Sequence, residues 1–241
     1  MKKLYNCDLH IHSCLSPCAD ILMTPGNIIK KAVEVGLDII AITDHNSAGN
    51  IEAALKIAKN TDLILIPGIE VASSEEVHLL CFFSAPEPLL DFEDILQKAM
   101  PDIENDEENF GYQILTDEND EFIAKEEKLL AVASDLSVEE IVNCVNDLGG
   151  IVIPSHVDRP YNSILGQLGF IPPNLEIAGI EISKNTNPEQ FFQKYPYMND
   201  YFYIVSSDSH YLNDIKSWTK IDIGDNNLLA GMIRSIIDLD Y

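Results

Sequence analysis

The sequence predicts an α/β fold in which a largely parallel sheet closes into a barrel. Three observations carry that expectation. Seven short apolar runs of strand length recur along the chain, most of them separated by stretches of helical spacing, the order that produces a mainly parallel sheet. All six histidines lie in or beside those runs, five of them at or near C-terminal ends, and Glu70, Asp208 and Asp20 occupy comparable places. Polar groups on the ends of nearly every strand converge on one point only if the sheet closes; an open doubly wound sheet spreads its strand ends along a line.

The first run contains Asp8-Leu9-His10-Ile11-His12. Period-2 alternation sends the two imidazoles one way and Leu9 and Ile11 the other, which in a barrel brings His10 and His12 to the mouth. Alone, the pair reads equally as a metal site or as a buried hydrogen-bonded pair. A polar, turn-prone stretch over residues 13–20 precedes Thr24-Pro25, which resembles an N-cap followed by proline at the first helical position, and the helix so opened runs to Gly36. Residues 37–43 form strand two and lead into Asp44-His45-Asn46; residues 50–59 have helical spacing; residues 63–66 form strand three, ahead of Pro67-Gly68-Ile69-Glu70. Strand four spans residues 77–83 with His78 near its start, and a helix spans residues 91–100.

The texture then changes. Residues 101–109 are acidic, and residues 112–115 and 121–124 flank a turn as the arms of a hairpin, so residues 85–135 are expected to be an inserted acidic segment or small lobe within a single domain covering residues 1–241. Ser137-Val138-Glu139-Glu140 matches a capping box, opening a helix that stops at Gly149-Gly150. Strand five, residues 151–154, delivers Ser155-His156; strand six, residues 177–183, ends at Lys184; strand seven, residues 201–205, reaches Asp208 and His210. A late strand over residues 218–223 and a helix over residues 228–239 close the chain.

Composition narrows the function. Aspartate and glutamate outnumber lysine and arginine 40 to 15, a formal charge of −25, which disfavours a long nucleic-acid or anionic-membrane footprint and leaves small or terminal phosphates as admissible substrates. The 5 cysteines include no CxxC, and neither a signal-type apolar core nor a membrane-length apolar run occurs. The expected setting is soluble and cytoplasmic. Mixed imidazole and carboxylate donors suit zinc, manganese or iron, with magnesium admissible, and the donors are too many for one ion.

The motifs Asp8-Leu9-His10-Ile11-His12-Ser13, Thr43-Asp44-His45-Asn46, Gly68-Ile69-Glu70-Val71, Pro154-Ser155-His156 and Ser207-Asp208-Ser209-His210 together resemble the successive motifs of the PHP (polymerase and histidinol phosphatase) family. The resemblance implies a distorted (β/α)7 TIM-like barrel with two or three divalent ions at its C-terminal mouth. It implies that His10, His12, Glu70 and Asp208 hold one ion, that Glu70 bridges to a second held by His78 and His156, and that His45 and His210 hold the remaining one. Glu70 and Asp208 are thereby the candidate catalytic carboxylates. The last ion takes a further His or Asp in the family, and here the pattern breaks. Cys18 aligns at that place and Asp20 follows two residues later; Asp20 is preferred as the harder donor for manganese or magnesium, with Cys18 the alternative that favours zinc. Asp44 is expected to orient a ligand or stabilise its turn.

The function implied is hydrolysis of a small phosphomonoester, a nucleotide or sugar phosphate, by water activated on the metal cluster. Two other readings stand beside it: a phosphodiesterase or exonuclease on short oligonucleotides, and a non-catalytic metal-binding interaction module. Arg159, three residues after His156, is the candidate phosphate anchor, and Lys184 the weaker second.

Overall fold

The structure is a computed structural model that describes residues 4–239. Its elements are β1 (Leu4–Ile11), α1 (Pro25–Glu34), β2 (Ile39–Ile42), α2 (Ile51–Ala58), β3 (Ile64–Ala72), β4 (His78–Phe82), α3 (Pro86–Ala99), β5 (Ile114–Thr116), β6 (Phe122–Lys125), α4 (Val138–Asp147), β7 (Ile151–Pro154), α5 (Ile164–Gln167), β8 (Ile180–Ser183), α6 (Pro188–Lys194), β9 (Tyr203–Ser206), β10 (Thr219–Asp222) and α7 (Leu228–Leu239). Among the described residues no helix is long and apolar enough to cross a membrane.

Six strands form one sheet in the order β10-β1-β2-β3-β4-β7, and β8 pairs with β9 in parallel. That pair spans the gap between the ends of the larger sheet. Ala178 N donates to Val152 O and Val157 N to Glu181 O, both at 2.8 Å, joining β8 to β7. Beyond β9, Ser209 N donates to His10 O at 3.2 Å and His12 N to Ser209 O at 2.9 Å, joining it to β1. Strands β1, β2, β3, β4, β7, β8 and β9 thus curl into a distorted TIM-like barrel, while β10 runs antiparallel beside the first half of β1.

One strand of the ring is reversed. β4 is antiparallel to both β3 and β7. A parallel connection needs a crossover, whereas β3 and β4 are joined by a tight turn in which Ser73 N donates to Val77 O at 2.9 Å and Glu76 takes a left-handed φ of 60°. The beginning of β4 therefore lies at the rim where the other strands end, and His78 reaches the mouth from the start of its strand.

β1 departs from simple alternation. Cys7 and Asp8 pair with Ile39 and Ile40, but Ile11 pairs with Ile42, so β1 holds one extra residue. Leu9 packs in the inner cluster with Cys7, Ile39 and Ala41, whereas Ile11 packs in the outer one with Ile40 and Ile42. Leu9 and Ile11 do not share a face: the bulge turns both Leu9 and His10 inward and so puts the imidazole directly above the apolar interior.

The interior below the mouth is filled by Leu9, Ile66, Leu80, Phe82, Ile153 and Ile204, and the base is closed by Leu229 and Ile233 of α7. The outward side chains pack under α1 to α4. The expected helix starts hold where side chains cap them: Thr24 Oγ1 accepts from Asn27 N at 3.4 Å, and Ser137 and Glu140 form a full capping box. α3 starts at Pro86, earlier than residue 91, because proline at the first helical position loses no bond; it buries Leu89, Phe92 and Leu96. β3 continues through Pro67, of which only the carbonyl is called on, accepting from Phe83 N at 2.9 Å. The short α5 and α6 were not expected; Asn187 and Pro188 supply the start signal for α6.

Residues 101–135 are seated on the rim. Ile114 N donates to Cys14 O at 2.8 Å, and the buried Asn50 side chain donates to Ile114 O at 3.0 Å and accepts from Thr116 N at 3.0 Å. Asn46 Nδ2 donates to Leu130 O at 2.7 Å and Val132 O at 2.8 Å. The hairpin and its flanks therefore brace the loops after β1 and β2. Asn50→Ala leaves the buried Thr116 N–H without a partner, at about 1–3 kcal/mol, and leaves Ile114 O only the weak Cys14 thiol donor at 3.6 Å. The expected outcome is a loss of about 2 kcal/mol or more in urea unfolding, with proteolysis in residues 101–135 ahead of the rest.

Candidate metal centre

The candidate ligands reach the mouth from successive strands: His10 from β1 and His12 from just after it, His45 from just after β2, Glu70 from β3, His78 from β4, His156 from just after β7, and Asp208 and His210 from the loop after β9. Three of these strand ends turn sharply. Asn46, His156 and Asp208 have φ of 49°, 31° and 47°. Such left-handed conformations cost non-glycine residues about 1–3 kcal/mol each and persist where the surroundings hold them. Here His156 N donates to Glu181 Oε2 at 2.9 Å, and Ser207 N donates to Asp8 Oδ1 at 2.8 Å.

Glu70 lies at the middle, 1% exposed. Its Oε1 is 3.3 Å from His10 Nε2, 3.2 Å from His78 Nδ1 and 3.4 Å from His156 Nε2; its Oε2 is 3.5 Å from His12 Nε2 and 3.1 Å from His45 Nδ1. Asp208 Oδ1 lies 3.4 Å from His10 Nε2 and 3.3 Å from His12 Nε2, which are themselves 3.1 Å apart.

Hydrogen bonding decides which ring nitrogens are free. His10 Nδ1 faces both oxygens of Glu181, at 3.2 and 3.1 Å, so that nitrogen carries the proton and Nε2 presents its lone pair. Ser16 Oγ donates to Asp44 Oδ1 at 2.6 Å and therefore accepts from His12 Nδ1 at 2.9 Å, which frees His12 Nε2 in the same way. His210 Nδ1 donates to the Asp208 carbonyl at 3.0 Å, and its Nε2 faces Cys18 Sγ at 3.1 Å.

The result is a mostly buried set of imidazole nitrogens and carboxylates, with the exposed Cys18 thiol at its edge, a donor set that fits divalent cations. Three groups have ligand atoms within 4.8 Å of one another: His10, His12 and Asp208; His12, His45 and His210; and His45, Glu70 and His78.

The electrostatics follow from the same crowding. Burial opposes charge on His10, but the carboxylates of Glu181, Glu70 and Asp208 outweigh it and hold its pKa well above the ordinary value, so that a cation at Nε2 takes the place of a proton there. Burial, joined by His45 and His210, pushes His12 well below. Burial raises Glu70 and Asp208, yet the imidazoles around them, His10 foremost, hold both carboxyls well below the usual carboxylate range. The Cys18 thiol, raised by burial, is drawn down to about 6 by its hydrogen bonds to His210 and His45.

Two expected residues stay outside the cluster. Asp20 does not reach it: its Oδ1 accepts from Leu22 N at 2.8 Å, closing a local turn, and Cys18 takes the place at His210. Lys184 pairs instead with Asp214, at 3.7 Å. Asp44 bonds Ser13 N, Ser13 Oγ and Ser16 Oγ, not His45. Arg159 does reach the cluster, its Nη2 lying 2.7 Å from Asp208 Oδ2. The neighbouring Asp158 is engaged elsewhere, by Ser183 N at 2.7 Å and Thr186 Oγ1 at 2.6 Å. Sequence reasoning missed Glu181 and Ser16. The signal for Glu181 was a lone carboxylate inside the apolar run of β8, a place where an acidic side chain needs a dedicated partner.

A model of the PHP domain matches residues 8–159, more than half of the chain. The chain belongs to the PHP domain family. Solved structures of similar fold include a putative metal-dependent phosphoesterase from Bifidobacterium adolescentis, with TM-score 0.63, 17% identity, and coverage of 99% of this chain and 97% of that one. They also include the lesion-specific endonuclease PfuEndoQ from Pyrococcus furiosus, with TM-score 0.70, 18% identity, and coverage of 95% of this chain and 55% of that one. At such identities the likeness is one of fold. A 5'-3' exoribonuclease, Rnm of Salmonella typhimurium, is 36% identical over 78 residues, which are 30% of this chain and 26% of that enzyme. An uncharacterized protein of Methanocaldococcus jannaschii is 25% identical over 184 residues, 73% of this chain and 79% of that protein. The chain thus spans about a quarter of the length of that exoribonuclease and about half that of PfuEndoQ.

Glu181 ties His10 on one strand to the backbone of His156 on another. Glu181→Gln keeps the shape but removes the charge that makes His10 a strong donor. Metal affinity of the variant, measured by competition with a chromophoric chelator, is expected to fall about 10–100-fold with an unchanged far-ultraviolet circular dichroism spectrum.

Proposed function

We propose that this PHP domain hydrolyses a small phosphomonoester, a nucleotide or sugar phosphate, at a cluster of two or three divalent ions held by His10, His12, His45, Glu70, His78, His156, Asp208 and His210. The observation that carries the reading is the Arg159–Asp208 contact. One oxygen of Asp208 faces His10 and His12 and the other faces the guanidinium, so a phosphoryl group held by Arg159 lies against the cluster. Arg159 is 39% exposed at its side chain and keeps N–H groups for a second acceptor, the fork geometry that suits phosphate oxygens.

Divalent ions in such a site supply Lewis-acid polarisation of the phosphoryl oxygens and lower the pKa of bound water. The chain's own residues do the rest. Arg159 orients the ester, Glu70 and Asp208 place negative charge so that the ions stay, and the partners of the ring Nδ1 atoms hold His10 and His12 in the donor tautomer. The other arginine, Arg234, lies on α7 and donates to Ile223 O and Asp225 O. With 5 cysteines free of disulfides, we place the protein in a reducing, cytoplasmic setting, and we treat residues 1–241 as one catalytic unit with residues 85–135 as its insertion.

A second reading, exonucleolytic trimming of short oligonucleotides, draws on the exoribonuclease match and on Tyr161 and Tyr211, which are 75% and 57% exposed beside Arg159 and His210 on the mouth loops. Exposed aromatics can stack on bases. The charge of −25 weighs against an extended duplex.

The deciding experiment is a product screen after metal reconstitution over nucleotides, sugar phosphates and short oligonucleotides. Inorganic phosphate from monoesters supports the first reading, nucleoside monophosphates from oligonucleotides the second, and no turnover on any of them leaves a metal-binding module. Asp208→Ala and Glu70→Ala are expected to abolish turnover with the fold intact. Arg159→Ala is expected to lower kcat/KM on the best substrate about tenfold or more, at least ~1.4 kcal/mol, and an unchanged value makes Arg159 a structural partner of Asp208.

A further inference from the structure

The loop after β1 is built to hold one thiol still. Ser16 N donates to Ser13 O at 3.1 Å, Ala19 N to Ser16 O at 3.0 Å, Met23 N to Asp20 O at 2.9 Å and Cys14 N to Met23 O at 2.8 Å, so the loop is tied by consecutive turns. Asp20 N also donates to His210 O at 2.9 Å, which joins the loop to the very residue whose ring faces the thiol. From outside, Gly111 takes a φ of 104° and lies flush against the residue before Cys18; a Cβ there would clash with Pro17 O. The acidic lobe is thus a buttress for Cys18.

What the loop presents is a sulfur donor beside two imidazoles. His210 Nδ1 donates to the Asp208 carbonyl, so Nε2 is the nitrogen that faces Cys18 Sγ, 3.1 Å away. Independently of the cysteine, His12, His45 and His210 converge with ligand atoms within 4.8 Å. The remaining groups of the mouth, Glu70 and Asp208 with His10 and His78, bring nitrogen and oxygen only. Thiolate sulfur favours zinc and other thiophilic ions, whereas carboxylate oxygen favours manganese and magnesium.

We infer that Cys18, with His45 and His210, forms a sulfur-containing metal position that prefers zinc or a similar thiophilic ion by a wider margin than the nitrogen and oxygen positions of the same mouth. This deepens the metal-dependent reading of the same mouth and rests on it.

The test is cobalt(II) titration of the metal-free protein followed by absorption spectroscopy. Wild type is expected to show visible d–d bands together with a sulfur-to-cobalt charge-transfer band in the near ultraviolet. In Cys18→Ser the charge-transfer band is expected to vanish while d–d bands from the other positions remain, and Cys144→Ala, a cysteine on the outer helix α4, is expected to keep both. Should Cys18→Ser fail to fold, Cys18→Asp serves, since it retains a donor without sulfur. Visible bands with no charge-transfer band in wild type overturn the inference and leave the cluster reading standing; the absence of any cobalt spectrum overturns both. As a second readout, zinc titrated against a chromophoric chelator is expected to bind one position of wild type about tenfold or more tighter than the same position of Cys18→Asp. Equal zinc affinity in the two also overturns the inference.

Discussion

A carboxylate cut off from water has to be balanced by what surrounds it, and Glu70 is that carboxylate. An ionised side chain in a protein interior loses its hydration and is tolerated only when partners compensate it. Five imidazole nitrogens stand within 3.5 Å of its two oxygens, drawn from four other strands or their ends. No smaller subset of the fold could supply them. The closure of the sheet, the turns at the strand ends and the apolar layer beneath all serve to keep these groups converged. Compensation continues one layer out, where Glu181, the Ser16–Asp44 pair and the Asp208 carbonyl fix which nitrogen of His10, His12 and His210 faces inward.

Irregularity in the barrel is concentrated where these groups are delivered. The extra residue in β1 lets Leu9 pack into the interior while His10 still reaches the mouth. Reversal of β4 brings His78 to the rim from the start of a strand, without a crossover helix. Left-handed backbone at Asn46, His156 and Asp208 turns the chain back over the barrel axis as it leaves β2, β7 and β9. Strain of this kind is stable only in a setting that over-determines it, and here the holding bonds come from the side chains of Glu181, Asp8 and the lobe-facing Asn46 itself.

The charge of the chain gives its single mouth arginine unusual weight. Against a net formal charge of −25, an anionic substrate meets a repulsive surface nearly everywhere. Arg159 is held at the cluster by Asp208 and is a positive group at an otherwise acidic mouth. The acidic lobe has a structural part in the same region, since its backbone and amide contacts brace the loops that carry Cys18 and His45.

How much of this was legible in the chain follows from the range over which each feature is specified. The seven ring strands, the capped starts of α1 and α4, the hairpin, and eight candidate ligands all have local signals: apolar runs, Thr24-Pro25, the Ser137 and Glu140 box, and histidines with Glu70 and Asp208 placed at strand ends. Local sequence determined these because they depend on neighbours a few residues away. The bulge in β1 could not be read, since it exists only in register with β2; nor could the direction of β4, which is set by its partners on both sides. The choice of Cys18 over Asp20 was likewise tertiary. Both lie in one loop with suitable donors, and only the bond of Asp20 N to the His210 carbonyl and the press of Gly111 on Pro17 decide which side chain faces the imidazoles. Glu181 stands 171 residues from His10, and its part in the centre appears only when the barrel closes and puts the two side chains in contact.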